Sequence, residues 1–385
     1  MPVEDQFVAR AVAGAREPDA VTRLSAGLGP GPFALVVLFL SPDADLGAIV
    51  AAAARQLPAS RLVGCTTAGE IAGKGYDEGC IVAIGFPDRH FAAETVLVPD
   101  LTHIVPRALS NDLLNVRQRL TRDHAHLPEE FALLLVDGLS AKEDELTSAL
   151  AAGTGAMPIV GGSAGDGVRF RETFVIEGTR ILRNAAVVAV VRSACAVRVF
   201  NMDHLVPTAR RLVVTEADPA ARIVRRINAE PALNEIGRVL GMDPADLDAG
   251  TFASHPLAVQ MGERHHVRAI QRILPSGELL FFSAIDEGVV LTLAEPRDLV
   301  AHLARELDRL YDRVPPAAIL AFDCILRRLE AQEKQMTGRV SDLLRRHGVV
   351  GFSTYGEQIG PMHVNHTMTG LAFYPPGSPV AEREP

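Results

Sequence analysis

The sequence predicts an α/β fold of mixed α+β character, in which layered mixed sheets with flanking helices are built from repeated strand-helix-strand units and divided into two domains. Three observations predict it. Apolar runs at residues 33–40, 131–139 and 317–325 begin three similar units, which we call the first, second and third unit. In every unit a helical stretch follows and leads to a short apolar strand that ends in Gly and then a carboxylate. A further apolar strand closes each unit, at residues 80–86, 185–191 and 368–373.

The composition excludes several classes of protein. The chain has 385 residues, of which 48% are hydrophobic and 22% charged, so it can build two domains with cores of their own. No apolar run approaches the roughly 18 residues of a membrane span, and the first residues lack the features of a secretory signal, so we expect a cytoplasmic protein with no membrane segment. A net charge of -9 with scattered basic residues argues against nucleic-acid binding. The four cysteines show no CxxC spacing and are expected to be reduced.

Local signals predict the elements of the first unit in order. Residues 1–31 are rich in Ala and Arg and end in Gly-Pro-Gly-Pro, which predicts a helix followed by a turn. Residues 45–57 and 105–121 predict two further helices. Only four residues separate the apolar segments 80–86 and 91–98, and this short spacing predicts a β-hairpin.

In the second unit, residues 140–152 predict a helix with Ser140 as the N-cap and Glu143 completing a capping box. The two-residue turn at Gly178-Thr179 requires its flanking strands to pair antiparallel, whereas helices between other strands imply parallel neighbours, so the sheets are mixed. Short strands are predicted at residues 158–161, 172–177, 180–183, 185–191 and 196–201.

The pattern changes from residue 212 onward, and we place a domain boundary within residues 203–230. The third unit spans residues 315–375 and contains one long helix at 325–346, and the polar tail at 374–385 is expected to be disordered. The segment before the third unit is predicted to hold a strand at 213–215, helices at 219–228, 232–240 and 295–310, and strands at 255–261, 266–273 and 278–285.

The Gly-acid pairs of the three units are the first candidate site. We call them the first, second and third corners, at residues 69–70, 165–166 and 356–357. Small polar groups that converge at strand ends commonly form a ligand pocket. The alternative is that the repeated unit requires these tight turns and that each acid caps a backbone amide. We favour this alternative for the first two corners, whereas Tyr355, Glu357 and the nearby His363 indicate a ligand site at the third.

Two histidine segments are the next candidates. If residues 363–367 are extended, His363 and Asn365 face one side and His366 the other, so the two imidazoles cannot bind one metal and a zinc site is disfavoured. His363 remains a candidate axial ligand of an iron, or a hydrogen-bond donor beside Asn365, or a core histidine. His204 lies at the predicted domain junction and could present one ring nitrogen to an iron while Asp203 or a carbonyl holds the other. An ordinary buried histidine is the alternative.

No catalytic motif of the GxSxG, HExxH or GxGxxG-helix type is present, so we expect no enzymatic activity. The Gly-rich run at residues 161–167 precedes a strand pattern rather than the helix N-terminus that a phosphate site needs. Cys324 could be nucleophilic only if Arg327 or Arg328 lowered its pKa, and a buried structural cysteine is the preferred interpretation.

Several segments resemble those of FIST sensory proteins: GCTTAGEI, IVGGSAGDG, PTARRLVVTEADP, DCILRRLE and GFSTYGEQIGPMHVNHTMTG. The resemblance covers a FIST N part over residues 32–227 and a FIST C part over residues 228–373. The combination HLVPTARRLVVTEADP, FFSAIDEGVVL, FDCILRRLE and GFSTYGEQ is similar to the NosP branch, which comprises haem-binding nitric-oxide sensors that act on histidine kinases. This chain departs from that branch at His366, where HVNQT is expected.

The resemblance implies a b-type haem, held non-covalently because CxxCH is absent, and a histidine kinase partner in a two-component system. A neutral imidazole would bind the iron, and nitric oxide opposite it would weaken that bond. The implied iron ligand is His204, with His363 as the alternative. The implied haem-binding residues are His204, His363, Asn365, Tyr355, Glu357, Gly351 and Ser353. The broader FIST likeness leaves open a sensor of a small molecule such as an amino acid, without haem, and a homo-oligomer is compatible with either.

Overall fold

A computed structural model describes residues 6–57, 59, 61–261 and 264–379. The mixed α/β class is confirmed, because four mixed or antiparallel sheets are combined with helices. Within the described residues the α-helices are Ala20–Leu28, Leu46–Gln56, Pro106–Asp123, Glu143–Thr154, Ala232–Leu240, Ala249–Ser254, Leu299–Arg309, Ile325–Glu333 and Thr337–Arg346. Short 3-10 turns occupy Leu101–His103 and Pro244–Asp246.

Three six-stranded sheets carry the three units. From one edge to the other, the first sheet consists of Ala9–Gly14, Cys80–Pro87, Phe33–Leu40, Leu62–Thr66, Val175–Glu177 and Arg180–Leu182. In the same sense, the second sheet consists of Met362–Val364, Glu357–Ile359, Ile159–Ser163, Glu129–Val136, Ala186–Ser193 and Phe91–Val98. The third sheet consists of Cys195–Met202, Met368–Pro376, Ala318–Cys324, Val349–Thr354, Glu70–Ala72 and Gly75–Asp77.

The fourth sheet follows the predicted domain boundary and has a core of its own. Its strands are Arg264–Val267, Leu257–Met261, Val290–Pro296, Leu205–Asp218, Ile223–Ile227, Leu279–Phe281 and Ile270–Ile273, with Glu230–Pro231 beside Ile223–Ile227.

The predicted repeat corresponds to one pairing pattern that recurs in the first three sheets. The strand that begins each unit runs parallel to the second strand of that unit and antiparallel to the strand that closes it. The two parallel strands approach closely at a glycine, where an added Cβ would lie within 2.4 Å of a carbonyl oxygen of the neighbouring strand. The glycines and the carbonyls they face are Gly64 with Leu38, Gly161 with Leu134, and Gly351 with Ala321.

A short hairpin leaves each unit after its corner and joins the sheet of another unit. The hairpin of the first unit pairs with Val349–Thr354 in the third sheet, that of the second unit with Leu62–Thr66 in the first, and that of the third unit with Ile159–Ser163 in the second. This exchange is cyclic, so none of the three units completes its sheet alone.

Aromatic side chains from all three sheets meet in one shared core. The rings of Phe39 and Phe352 lie 4.5 Å apart, and those of Phe131 and Phe373 lie 5.5 Å apart. Each such ring is fully buried, which stabilises the fold by about 1.5–3 kcal/mol per side chain. The shared core therefore fixes the three units relative to one another.

Several local predictions were wrong because neighbouring strands override local signals. A strand, Ala9–Gly14, precedes the predicted N-terminal helix, since its alternate residues face the core. Residues 80–86 and 91–98 form no hairpin, because both edges of Cys80–Pro87 are occupied and Phe91–Val98 pairs with Ala186–Ser193 instead. The helix predicted at 219–228 is the strand Ile223–Ile227, which pairs with the fourth sheet's long strand.

Three element ends also differ. The helix predicted to start at Ser140 begins at Glu143, whose carboxylate pairs with Arg222 at 2.6 Å instead of capping an amide. The single helix predicted at 325–346 is interrupted, because Gln335 adopts a positive φ of 54° between two shorter helices. The last strand continues to Pro376, so the tail predicted from residue 374 starts later, and residues 380–385 lie outside the described residues.

Candidate functional site

The three corners converge at the centre of the molecule, where backbone hydrogen bonds connect them. At each corner, the glycine or the residue just before it donates its amide to a carbonyl at the strand end of another unit. The three hydrogen bonds therefore link the three units in a closed ring. These bonds are Ala68 to Ser353 at 2.9 Å, Gly165 to Thr66 at 3.0 Å, and Tyr355 to Ser163 at 3.2 Å. The three corners therefore lie together and are joined by backbone groups.

The corner acids bind their own surroundings. Glu357 is fully buried and accepts hydrogen bonds from the Thr354 hydroxyl and from the amide and hydroxyl of Thr367, the last two at 3.2 and 2.8 Å. Burial raises the pKa of Glu357 to about 8, although these hydrogen bonds oppose the shift. Burial likewise raises the pKa of Glu70 to about 7. Glu70 at the first corner and Glu357 at the third thus both accept hydrogen bonds from neighbouring hydroxyl and amide groups.

The second corner differs from the other two because the pKa of its acid, Asp166, is lowered rather than raised. Asp166 accepts hydrogen bonds from the hydroxyl of Tyr355 and from the amides of Phe170, Arg171 and Glu172. Burial opposes ionisation, yet these donors hold the pKa of Asp166 below its ordinary value. The Tyr355 ring stacks on Phe170 at 4.5 Å. Tyr355 therefore joins the second and third corners.

His363 and Asn365 lie beside the third corner, together with Ser353. His363 is buried against Gly356, where an added Cβ would lie 2.2 Å from its ring, and Gln358 Nε2 approaches its Nδ1 at 3.2 Å. Neither the Nε2 of His363 nor the Oγ of Ser353 has a hydrogen-bond partner in the described part of the chain. Asn365 accepts a hydrogen bond from Ser283 at 3.2 Å. Gly351 serves the parallel strand contact described above.

His204 is fully buried in a different polar cluster. Its Nδ1 lies 2.9 Å from Arg327 Nη1 and its Nε2 lies 2.8 Å from Glu330 Oε2. Because arginine can only donate, Nδ1 accepts and Nε2 carries the proton. Burial lowers the pKa of His204 to about 4, so the ring is neutral at physiological pH. In this arrangement neither ring nitrogen of His204 is available to an iron.

The same cluster contains a set of potential metal ligands. His204, Glu330 and His366 each place one ligand atom within 4.8 Å of the others. His366 adopts a φ of 63°, so residues 363–367 are not extended throughout as the alternation argument assumed. The guanidinium of Arg327 fixes the proton of His204 on Nε2 and adds a positive charge beside the cluster. We therefore interpret it as a hydrogen-bonded network rather than a metal centre.

Arg327 extends this network towards the third sheet. It donates to Asp323 at 2.7 Å, and the hydroxyl of Tyr76, from the hairpin of the first unit, also donates to Asp323. Both charged side chains are almost fully buried. Burial raises the pKa of the neighbouring Cys324 thiol well above its ordinary value, which is opposite to the shift that the nucleophile hypothesis needs.

A cleft of about 770 Å³, which we call the junction cleft, opens where the fourth sheet meets the second and third sheets. Many of its walls are apolar, including Phe200, Met202, Leu310, Pro361 and Met362. Asp203, Leu205 and Asn365 also line it, whereas His204 and His363 do not. A volume of this size is typical of a site for a cofactor or small ligand.

His302 contributes an imidazole to the junction cleft. It lies on the helix Leu299–Arg309 and is 7% exposed, and its Nδ1 has no hydrogen-bond partner among the described residues. Burial, followed by the positive charge of Arg327, lowers the pKa of His302 to about 4, so its ring is neutral. The rings of His302 and His204 have their centroids 6.3 Å apart. A neutral imidazole with an unpaired nitrogen is suited to bind a metal.

Polar groups complete the junction cleft. Arg198 and Arg309 line it, and Arg198 Nη1 donates to the carbonyl of Arg309 at 3.2 Å. Glu306, one turn before, holds the guanidinium of Arg309 at 2.9 Å. His265 and His266 also line the cleft. The junction cleft therefore combines apolar walls with two arginines and three imidazoles.

Sequence reasoning missed His302 because it lies in a helix that the pattern describes only as amphipathic. A usable signal existed: His302 occupies the apolar face of that helix, between Leu299 and Leu303, which are both buried. An imidazole at such a position needs a polar partner or a ligand.

The chain matches two known family models that together span most of its length. The model of the FIST N domain matches residues 34–230, and the model of the FIST C domain matches residues 232–360. No curated protein matches the chain. Within the described residues, no helix combines the length and apolar character needed to cross a bilayer. The chain therefore belongs to the FIST family of sensory proteins, whose domains serve in signalling as sensors of small ligands.

Proposed function

We propose that this FIST protein binds b-type haem in the junction cleft, senses nitric oxide there, and regulates a histidine kinase. The likeness to the NosP branch supports the choice of haem, gas and partner. The observation that carries the proposal is the neutral imidazole of His302, which lines a cleft with apolar and polar walls and whose buried Nδ1 has no hydrogen-bond partner in the described part of the chain. Haem would supply an iron that binds diatomic gases.

His302 is our candidate for the iron ligand, in place of His204 and His363. The ring would not have to lose a proton before binding iron, because burial already keeps it neutral near pH 7. Arg198 and Arg309 are placed to bind carboxylate side groups, since guanidinium pairs well with carboxylate. The apolar walls formed by Phe200, Met202 and their neighbours would exclude water from a bound porphyrin.

The helix that carries His302 offers a route from the cleft to a partner. Near its C-terminal end, Asp308 pairs with the His347 ring at 2.9 Å. The hydroxyl of Tyr311 donates to the backbone carbonyl of His347, also at 2.9 Å. His347 follows the helix Thr337–Arg346 of the third unit. A displacement of His302 would therefore shift exposed residues of the third unit. A kinase could then bind the conformations before and after this shift with different affinities.

The test is the absorption spectrum of the full chain produced with a haem precursor. We expect a Soret band that shifts when nitric oxide is added. His302→Ala should weaken haem binding about tenfold or more, while His103→Ala, whose side chain is 80% exposed, should leave it unchanged. His302→Gly should regain the band when free imidazole is added.

Two results would contradict the proposal. One is a wild-type protein that shows no Soret band after incubation with equimolar haemin and removal of the unbound haemin. The other is a His302→Ala protein with the wild-type spectrum, which would exclude His302 as the ligand. For the partner, we expect the autophosphorylation rate of the cognate histidine kinase to change with the haem-loaded chain and to change again with nitric oxide.

A further inference from the structure

A second, smaller cleft of about 340 Å³ lies at the first corner and shares no lining residue with the junction cleft. We call it the corner cleft. It lies where the strand Phe33–Leu40 ends, and all three units contribute to it, through Ser41–Asp43 and Ala68–Glu70, through 167–169, and through the helix Ile325–Glu333. In sheets with parallel strands, ligands commonly bind beyond the carboxyl ends of those strands.

Arg328 is the polar group that defines the corner cleft. It is 6% exposed, and its guanidinium lies directly over Gly69, where an added Cβ would be 1.8 Å from Nη1. Gly69 also has a φ of 125°, so the backbone and the guanidinium both require glycine there. The guanidinium lies 5.2 Å from the ring centroid of Tyr76, which fixes its plane.

The carboxylate partner of Arg328 comes from the surface. Arg328 Nη2 binds Glu78 at 2.7 Å, and the Glu78 side chain is 73% exposed. Glu70, which also lines the cleft, is instead bonded to Thr67 and to the amide of Cys80. A buried guanidinium thus depends on an exposed side chain for its carboxylate, and such exposed partners contribute little stability. A carboxylate from solution could take the place of Glu78.

The remaining walls restrict the chemistry of the ligand. Ile325, Leu329 and Val168 line the cleft, and Val168 is 65% exposed. Asp43 also lines the cleft, but it is paired with Arg16 and with Arg169, which is a lining residue too. Arg328 therefore offers one guanidinium to one carboxylate of a ligand, and an apolar tail would cover the exposed valine.

We propose that the corner cleft binds a small monocarboxylate with a short apolar tail. Its carboxylate replaces Glu78 on Arg328, and its tail covers Val168 and Leu329. This site is independent of haem binding in the junction cleft. The two ligands would act on one chain through the third unit, which contributes Arg328 to one cleft and contacts the helix of His302 at the other.

The probe is butyrate, titrated into the full haem-free chain by calorimetry, with butylammonium chloride and acetate as matched probes. We expect butyrate to bind, acetate to bind more weakly because it lacks the tail, and butylammonium not to bind. Glu78→Gln removes the competing carboxylate from an exposed position and should tighten butyrate binding about two- to fivefold. Val168→Ser should weaken it. Both residues are exposed, so both variants should fold.

Glu145→Gln is the matched control. Glu145 also forms an exposed pair of 2.7 Å, with Lys142, but it lies outside the corner cleft, so this variant should bind butyrate like the wild type. The proposal is overturned if butyrate fails to bind both the wild type and Glu78→Gln, or if Glu78→Gln and Val168→Ser leave its affinity unchanged. Binding of butylammonium with equal affinity would overturn the assignment of a carboxylate. A colourless protein that binds butyrate would contradict only the haem proposal.

Discussion

Replacing Glu357 with Gln tests whether the carboxyl at the third corner is buried away from water, as the structure indicates. Burial raises the pKa of this carboxyl to about 8, whereas its ordinary value is 4.5. Between these values the folded protein keeps a proton that the unfolded chain releases. The folded state therefore loses stability as the pH rises through this window, and the loss is complete above about pH 8. Below pH 4.5 both states are protonated and the effect vanishes.

The magnitude follows from the width of the window. Each pH unit inside it lowers the free energy of unfolding by about 1.4 kcal/mol, so the change from pH 5 to pH 8 is about 4 kcal/mol. Glutamine has no proton to release. Its amide can donate to Thr354 while its carbonyl accepts from the amide of Thr367, so it keeps the local bonds. The stability of Glu357→Gln relative to the wild type should therefore increase with pH by this amount.

Urea unfolding followed by circular dichroism at pH 5, 6, 7 and 8 measures this difference. Glu70→Gln should show the same trend but level off near pH 7, because burial raises the pKa of Glu70 only to about 7. A pH-independent difference for Glu357→Gln would refute the reasoning, because it would mean that water reaches the carboxyl in the folded protein.

Three further predictions concern the fold. Gly161→Ala should destabilise the protein by about 1–3 kcal/mol or more in urea unfolding, because its Cβ would lie 1.9 Å from a carbonyl oxygen, whereas Gly338→Ala, in an open helical position, should be neutral or stabilising. Arg327→Met leaves a buried carboxylate unpaired and should lower the unfolding free energy by about 3–5 kcal/mol. Arg345→Met, at an exposed pair with Asp342, should change it by less than about 1 kcal/mol, and equal effects would contradict the network. Cys324 should not react with a thiol reagent at pH 8 until the chain is unfolded, and rapid labelling of the native protein would contradict its burial.

The repeated units could be predicted because their signal is local. A strand covered on both faces needs an unbroken apolar run, as in Phe33–Leu40, and a helix between two such runs implies parallel pairing. The Gly-acid pairs also marked positions that the fold uses three times. These features depend on residues close together in the chain, so a single sequence reveals them.

Pairing between distant strands could not be predicted. The spacing of residues 80–86 and 91–98 is typical of a hairpin, but the strand Ala9–Gly14 already occupies the free edge of Cys80–Pro87. Each hairpin that leaves its unit likewise pairs with a strand edge that is free in the sheet of another unit. Which edge is free depends on the whole fold, and local propensity carries no information about it.

By itself the sequence determined the three strand-helix-strand units, their buried strands and their glycine corners. These features depend on hydrophobic patterning and residue type within a few neighbouring positions of the chain. Only the tertiary structure decided what the polar residues do. It bonded both nitrogens of His204 to Arg327 and Glu330, more than a hundred residues away. It brought His302 to the junction cleft, with an Nδ1 that has no hydrogen-bond partner among the described residues. The partners of a buried polar group come from distant segments, so its role is set when those segments pack together.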